Sequence, residues 1–133
     1  MTKQVISIVK DGQKEEVLLD VNSAKSTILL TFKSGWSKKY SGADVYECLG
    51  NIIKEHSDLK FLCKGAKRSV RPSSMSSQMS SGIAAYEHVL GKRASRSDLV
   101  NIFDYEDQDI VSDPQLQKDH FFLWLESIRD VEE

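Results

Sequence analysis

Short apolar runs separated by turn residues fill the first forty positions and read as β, and the N-terminal residues alternate apolar with polar as a strand does. Val5, Ile6, Ile8 and Val9 make a first strand, and Asp11-Gly12 supplies a tight turn. Glu16 to Val21 makes a second strand, Asn22-Ser23 turns the chain, and Thr27 to Lys33 makes a third. Ser34-Gly35 turns again into a short fourth strand, Trp36 to Tyr40. Lys38 and Lys39 in that strand protect a sheet edge against pairing with another chain. Four strands on such short turns predict an antiparallel meander.

The period then lengthens. Ser41-Gly42-Ala43-Asp44 reads as a helix start with the Asp44 carboxylate in the first turn, and Val45, Leu49, Ile52, Ile53 and His56 recur at helical spacing through residues 43–56. Leu59 to Cys63 suits an inner strand. Met75, Met79, Ile83, Tyr86 and Leu90 recur every three or four residues, which predicts a helix from about Ser74 to Leu90. Ser73 or Ser74 caps it and Gly91 ends it. Asp98 to Phe103 reads as another inner strand, and Tyr105 to Asp109 as an acidic loop. Ser112-Asp113-Pro114 opens a last helix, from about 114 to 130. At 100° per residue, Phe121, Trp124, Leu125, Ile128 and Val131 share an arc of about 120° that should face the core. Asp119, Glu126 and Asp130 lie opposite within about 40°, flanked by Phe122 and Leu123. The expected architecture is α+β: an N-terminal antiparallel β-meander, three helices, and two further strands completing a mixed sheet, all in a single domain over residues 1–133.

Composition leaves this reading in place. The 133 residues are 40% hydrophobic and 29% charged, ordinary for a folded chain that needs no disulfide or metal staple. Cys48 and Cys63 form no metal or redox motif and read as buried apolar groups. No apolar run approaches the ~20 residues of a membrane span. The alternating N-terminus lacks the pattern of a signal peptide, so a cytoplasmic location is expected.

Charge changes the picture more. Residues 1–97 carry sixteen Lys/Arg and nine Asp/Glu, whereas residues 98–133 carry two and eleven. A concentrated anionic segment attracts basic partners. The carboxylates of the loop, Asp104, Glu106, Asp107 and Asp109, and those of the last helix, Asp119, Glu126 and Asp130, are the candidate contact residues. Tyr105, Phe122 and Leu123 are the candidate apolar anchors.

Other chemistries are weaker. Lys64, Lys67, Arg68 and Arg71, with the helix start near Ser74, offer a nucleic-acid or phosphate site, but no aromatics are interleaved for stacking. Lys92, Arg93 and Arg96 add to that basic charge. His56, His88 and His120 sit in no metal-ligand or catalytic motif, so a hydrolase would have to assemble them in space. No catalytic residue, cofactor or metal is expected.

The segment Phe61 to Tyr86 contains Gly65-Ala66, Pro72-Ser73, Met75, Met79, Gly82 and Ala85-Tyr86, followed by Leu90-Gly91-Lys92 and Asp98 to Asp104. This pattern resembles a group of small bacterial proteins, the immunity proteins of polymorphic toxin systems of the contact-dependent growth inhibition type. The resemblance covers about a third of the chain. It implies a cytoplasmic, non-enzymatic antitoxin that binds the C-terminal domain of one cognate toxin, often a basic nuclease, and blocks it. It implies no membrane partner and no direct contact with nucleic acid. Immunity proteins dock through diverse surfaces, so the resemblance assigns no binding residue.

Overall fold

The computed structural model describes residues 2–129. Four strands, β1 (Thr2–Lys10), β2 (Gln13–Asn22), β3 (Thr27–Thr31) and β4 (Ser37–Ser41), form the expected antiparallel meander. Ile6 and Ile8 of β1, Val17, Leu19 and Val21 of β2, and Ile28 and Leu30 of β3 point to one buried face. Helix α1 (Val45–Glu55) covers that face with Val45, Cys48, Leu49, Ile52 and Ile53. Asp44 caps it by accepting the Glu47 N–H at 2.7 Å. β4 lies at one edge of the sheet, so Lys38 and Lys39 stand where edge protection calls for them.

The second half departs from expectation. Only Lys60–Phe61 of the 59–63 run is a strand, β5, and it pairs with β1 at the sheet's other edge rather than inside it. Its neighbours Leu59, Leu62 and Cys63 are nonetheless buried. A 3-10 turn at Lys64–Ala66 leads to β6 (Val70–Arg71). The long helix expected over 74–90 is a seven-residue helix, α2 (Ser74–Ser80), followed by strand β7 (Ala84–Glu87). Ser81 and Gly82 stop the helix, with φ of 55° and 77°. Gly82 is also held tight against α1, since a Cβ there would lie 2.7 Å from Asp44 Oδ2. The methionine spacing was therefore no core stripe: Met75 is 72% exposed and Met79 82%. Gly91, at φ 81°, belongs to the turn after β7.

The 98–103 run is likewise divided. A 3-10 turn at Arg96–Asp98 precedes β8 (Leu99–Asn101), an edge strand of a second sheet ordered β6-β7-β8. Val100 packs partly buried against the core, and the successors Ile102 and Phe103 enter it. All pairings in both sheets are antiparallel, where one mixed sheet was expected. Val70, Ala85, Ile102 and Phe103 join the residues of the first sheet and α1 in one apolar cluster.

Helix α3 (Pro114–Arg129) starts where the Ser112-Asp113-Pro114 signal places it, with Asp113 Oδ1 accepting the Gln115 N–H at 2.9 Å. Its buried stripe differs from the sequence reading. Trp124 is buried and Phe121 and Ile128 half-buried, but Leu125 is exposed. Val131 lies outside the described residues. Gln117 occupies the centre of the stripe, its amide N–H₂ donating to the carbonyls of Gly65 and Lys67 at 2.8 and 2.9 Å. A buried amide is stable there because it is hydrogen-bonded. No helix among the described residues is long and apolar enough to cross a membrane.

Candidate docking surface

Packing of one face of α3 leaves the opposite face outward. Gln117, Phe121, Trp124 and Ile128 are pinned to the body, so Asp119, Phe122, Leu123 and Glu126 fall together on an outer arc of about 100°. All four are exposed, Phe122 by 53% and Leu123 by 59%. Asp119 accepts a hydrogen bond from Gln115 of the same helix. Glu126 lies 3.8 Å from Arg129, an exposed pair worth little. Asp130, the third predicted carboxylate of this face, lies outside the described residues.

The apolar strip extends off the helix. Leu123 shares a shallow hollow of about 420 Å³ with Leu90, Glu126, Ser127 and Arg129. Two hydrogen bonds hold the 89–92 turn there: the Trp124 indole N–H to the Lys92 carbonyl, and the Gly91 N–H to Ser127 Oγ, both 2.8 Å. Val89 and Leu90 are each half-exposed. The sequence reading buried Leu90 on a helix stripe and so missed it. No local signal marks it, because its position depends on contacts between residues more than thirty apart.

The acidic loop fares differently. Glu106 is consumed inside the molecule: its carboxylate binds Lys64 and Lys67 at 2.9 and 2.8 Å and takes the N–H groups of Asp107 and Gln108. The Lys67 hydrogen bond leads in pulling its pKa down to about 2, against burial. Glu87 bridges the same two lysines from β7. Asp109 pairs with Arg68 at 3.2 Å. Tyr105 accepts a hydrogen bond from Lys14, whose ammonium lies 5.1 Å from the ring centroid. Asp104 and Asp107 remain exposed. The loop is thus largely a clamp on the basic 64–68 segment, and the anionic surface contracts to Asp104, Asp107 and the outer face of α3.

The same pairings answer the phosphate reading. Lys64, Lys67 and Arg68 are matched by carboxylates, Arg71 lies over the Phe121 ring at 5.1 Å, and the Ser73 hydroxyl caps α2. The four cations do not converge on the helix start near Ser74.

No protein-family model and no curated protein matches this chain. Its function rests on its own geometry.

The histidines occupy two places. His56 packs among Phe32, Trp36, Tyr40 and Phe61 and is hydrogen-bonded to the Tyr40 hydroxyl at 2.9 Å. His88 is 7% exposed, with ring contacts to Tyr86, Phe121 and, at 4.1 Å, Trp124. The Nδ1 atoms of His88 and His120 are buried without a hydrogen-bond partner. Among the described residues, no group of three His, Cys, Asp or Glu side chains is placed to hold a metal ion. Both cysteines are unpaired and buried, and burial pushes Cys48 up to about 11 and Cys63 up to about 12, so both stay protonated thiols.

Burial, seconded by the charge of His120 and opposed by Asp98, holds His88 below its ordinary 6.5. The unfolded chain therefore binds the proton more readily than the folded one. Stability should be fully present above about pH 6.5 and fall as pH drops through the folded pKa. A second loss should begin below about pH 4.5 as Glu106 is titrated towards 2. Urea midpoints across this range measure both windows. His88→Phe should flatten the first and leave the second, and an unchanged slope near pH 6 would reject this assignment.

Proposed function

We propose that the chain is a non-enzymatic inhibitor: a cytoplasmic immunity protein that binds and neutralises one cognate toxin domain, with a basic nuclease as the fitting class of toxin. The observation that carries the reading is the outer face of α3, where exposed Phe122 and Leu123 stand between the carboxylates of Asp119 and Glu126. Stable interfaces concentrate their energy in aromatic anchors and use rim charges to steer encounter. The excess of acids after residue 97 supports a cationic partner, as does the resemblance of the 61–104 segment to immunity proteins. A groove that attracts nucleic-acid phosphates also attracts this face.

Steering is tested with the product of the gene next upstream, since immunity proteins are encoded beside their toxins. The double variant Asp119→Lys/Glu126→Lys should associate about tenfold more slowly at low salt, with a flatter salt dependence. Equal rates for the variant and the native chain would remove the electrostatic part of the proposal.

A further inference from the structure

α1, the β6–α2 segment and the first turns of α3 enclose a cleft of about 730 Å³, within the size range of small-molecule sites. Each wall contributes a cation: Lys54 from α1, Arg71 from β6 and Lys118 from α3. Three carboxylates line the cleft as well, but each is already engaged at a helix start. Asp44 accepts the Glu47 N–H and, at 2.6 Å, the Ser77 hydroxyl. Glu47 accepts the Ala43 N–H, and Asp113 the Gln115 N–H.

The cations are not so engaged. Among the described residues, no ion pair involves Lys54, Arg71 or Lys118. This contrasts with Lys64, Lys67 and Arg68, all matched. The Arg71 guanidinium carbon lies over the Phe121 ring, 5.1 Å from its centroid, a contact that needs none of its five N–H donors. Pro72, Pro114 and Phe121 give the cleft an apolar lining beside the charges.

We propose that this cleft binds a small organic phosphate. The phosphate is held by Arg71, Lys54 and Lys118, and an apolar ring rests on the proline and phenylalanine lining. The three carboxylates of the lining keep their charge and are turned to backbone and hydroxyl donors, so recognition rests on the three unpaired cations and on the guanidinium fork, which matches phosphate oxygens. The proposal is independent of docking by the outer face of α3.

The test is titration of the full chain with phenyl phosphate, followed by amide chemical shifts. Saturable shifts at the cleft residues are expected. Arg71→Gln and, separately, Lys118→Gln should each weaken binding about tenfold. Lys118 is exposed on the helix, so its variant tests the site with the fold intact. Inorganic phosphate should shift the same amides with weaker affinity. No saturation by about 10 mM, or equal affinity in both variants, would overturn the site. Inorganic phosphate binding as tightly as phenyl phosphate would overturn the role given to the apolar lining.

Discussion

Gly65→Ala is expected to destabilise the fold by about 1–3 kcal/mol, the range for forcing a methyl group into a packed core. Gly65 sits in the 3-10 turn where three parts of the chain meet. Its N–H donates to the Ile102 carbonyl at 2.8 Å, and its own carbonyl accepts from Gln117 of α3. A Cβ there would stand 2.6 Å from Leu49 Cδ2, 3.0 Å from Ile102 Cβ and 3.1 Å from the Ile102 carbonyl oxygen. Leu49 and Ile102 are fully buried, so neither can swing into solvent, and the backbone oxygen moves only with the turn that follows β8. Gly50→Ala is the natural control. The added Cβ meets Pro114 at 3.4 Å, an ordinary contact, and alanine favours the helix by up to about 1 kcal/mol. Urea unfolding of both variants measures the contrast. Equal stability for Gly65→Ala and the native chain would contradict the packing described here.

Phe122→Ala should leave unfolding unchanged within about 0.5 kcal/mol, because the ring contributes little to the core. In complex with the upstream-encoded partner it should cost about 2 kcal/mol, roughly a thirtyfold loss of affinity. The difference between the two readouts is what separates an anchor from a core residue. Phe121, its neighbour, offers the comparison: it contacts His88 and Trp124 and lies under Arg71, so truncating it should lower stability first. If Phe122→Ala binds as tightly as the native chain, the anchor lies elsewhere.

The first fifty-five residues were legible because each rule acts locally. The Val5-Ile6-Ser7-Ile8-Val9 run, the Asp11-Gly12 turn and the helix start at Ser41 to Asp44 lie within a few residues of what they determine, although Asp44 caps the helix rather than sitting in its first turn. The start of α3 was legible for the same reason. The 64–103 stretch was not. Met75, Met79, Ile83 and Tyr86 mimic a helical stripe, yet Ser81-Gly82 breaks it because that corner docks on Asp44 and Tyr46 far back in the chain.

The candidate site divides along the same line. That Phe122 and Leu123 flank the carboxylates of α3 followed from helix geometry alone. That Glu106 and Asp109 are spent on Lys64, Lys67 and Arg68 depended on partners about forty residues away. Charge counted along the sequence registers the acids and not their neutralisation. Gln117 escaped notice because a polar residue earns a core position only through carbonyls that tertiary structure brings to it.

The proposed docking surface is the outer face of α3. Amide hydrogen exchange of the native chain, alone and with the upstream-encoded protein bound, tests it most directly. Added protection is expected in residues 116–129 and in the 89–92 turn beside them. Protection confined to the meander or to α2, with α3 exchanging as in the unbound chain, would contradict it.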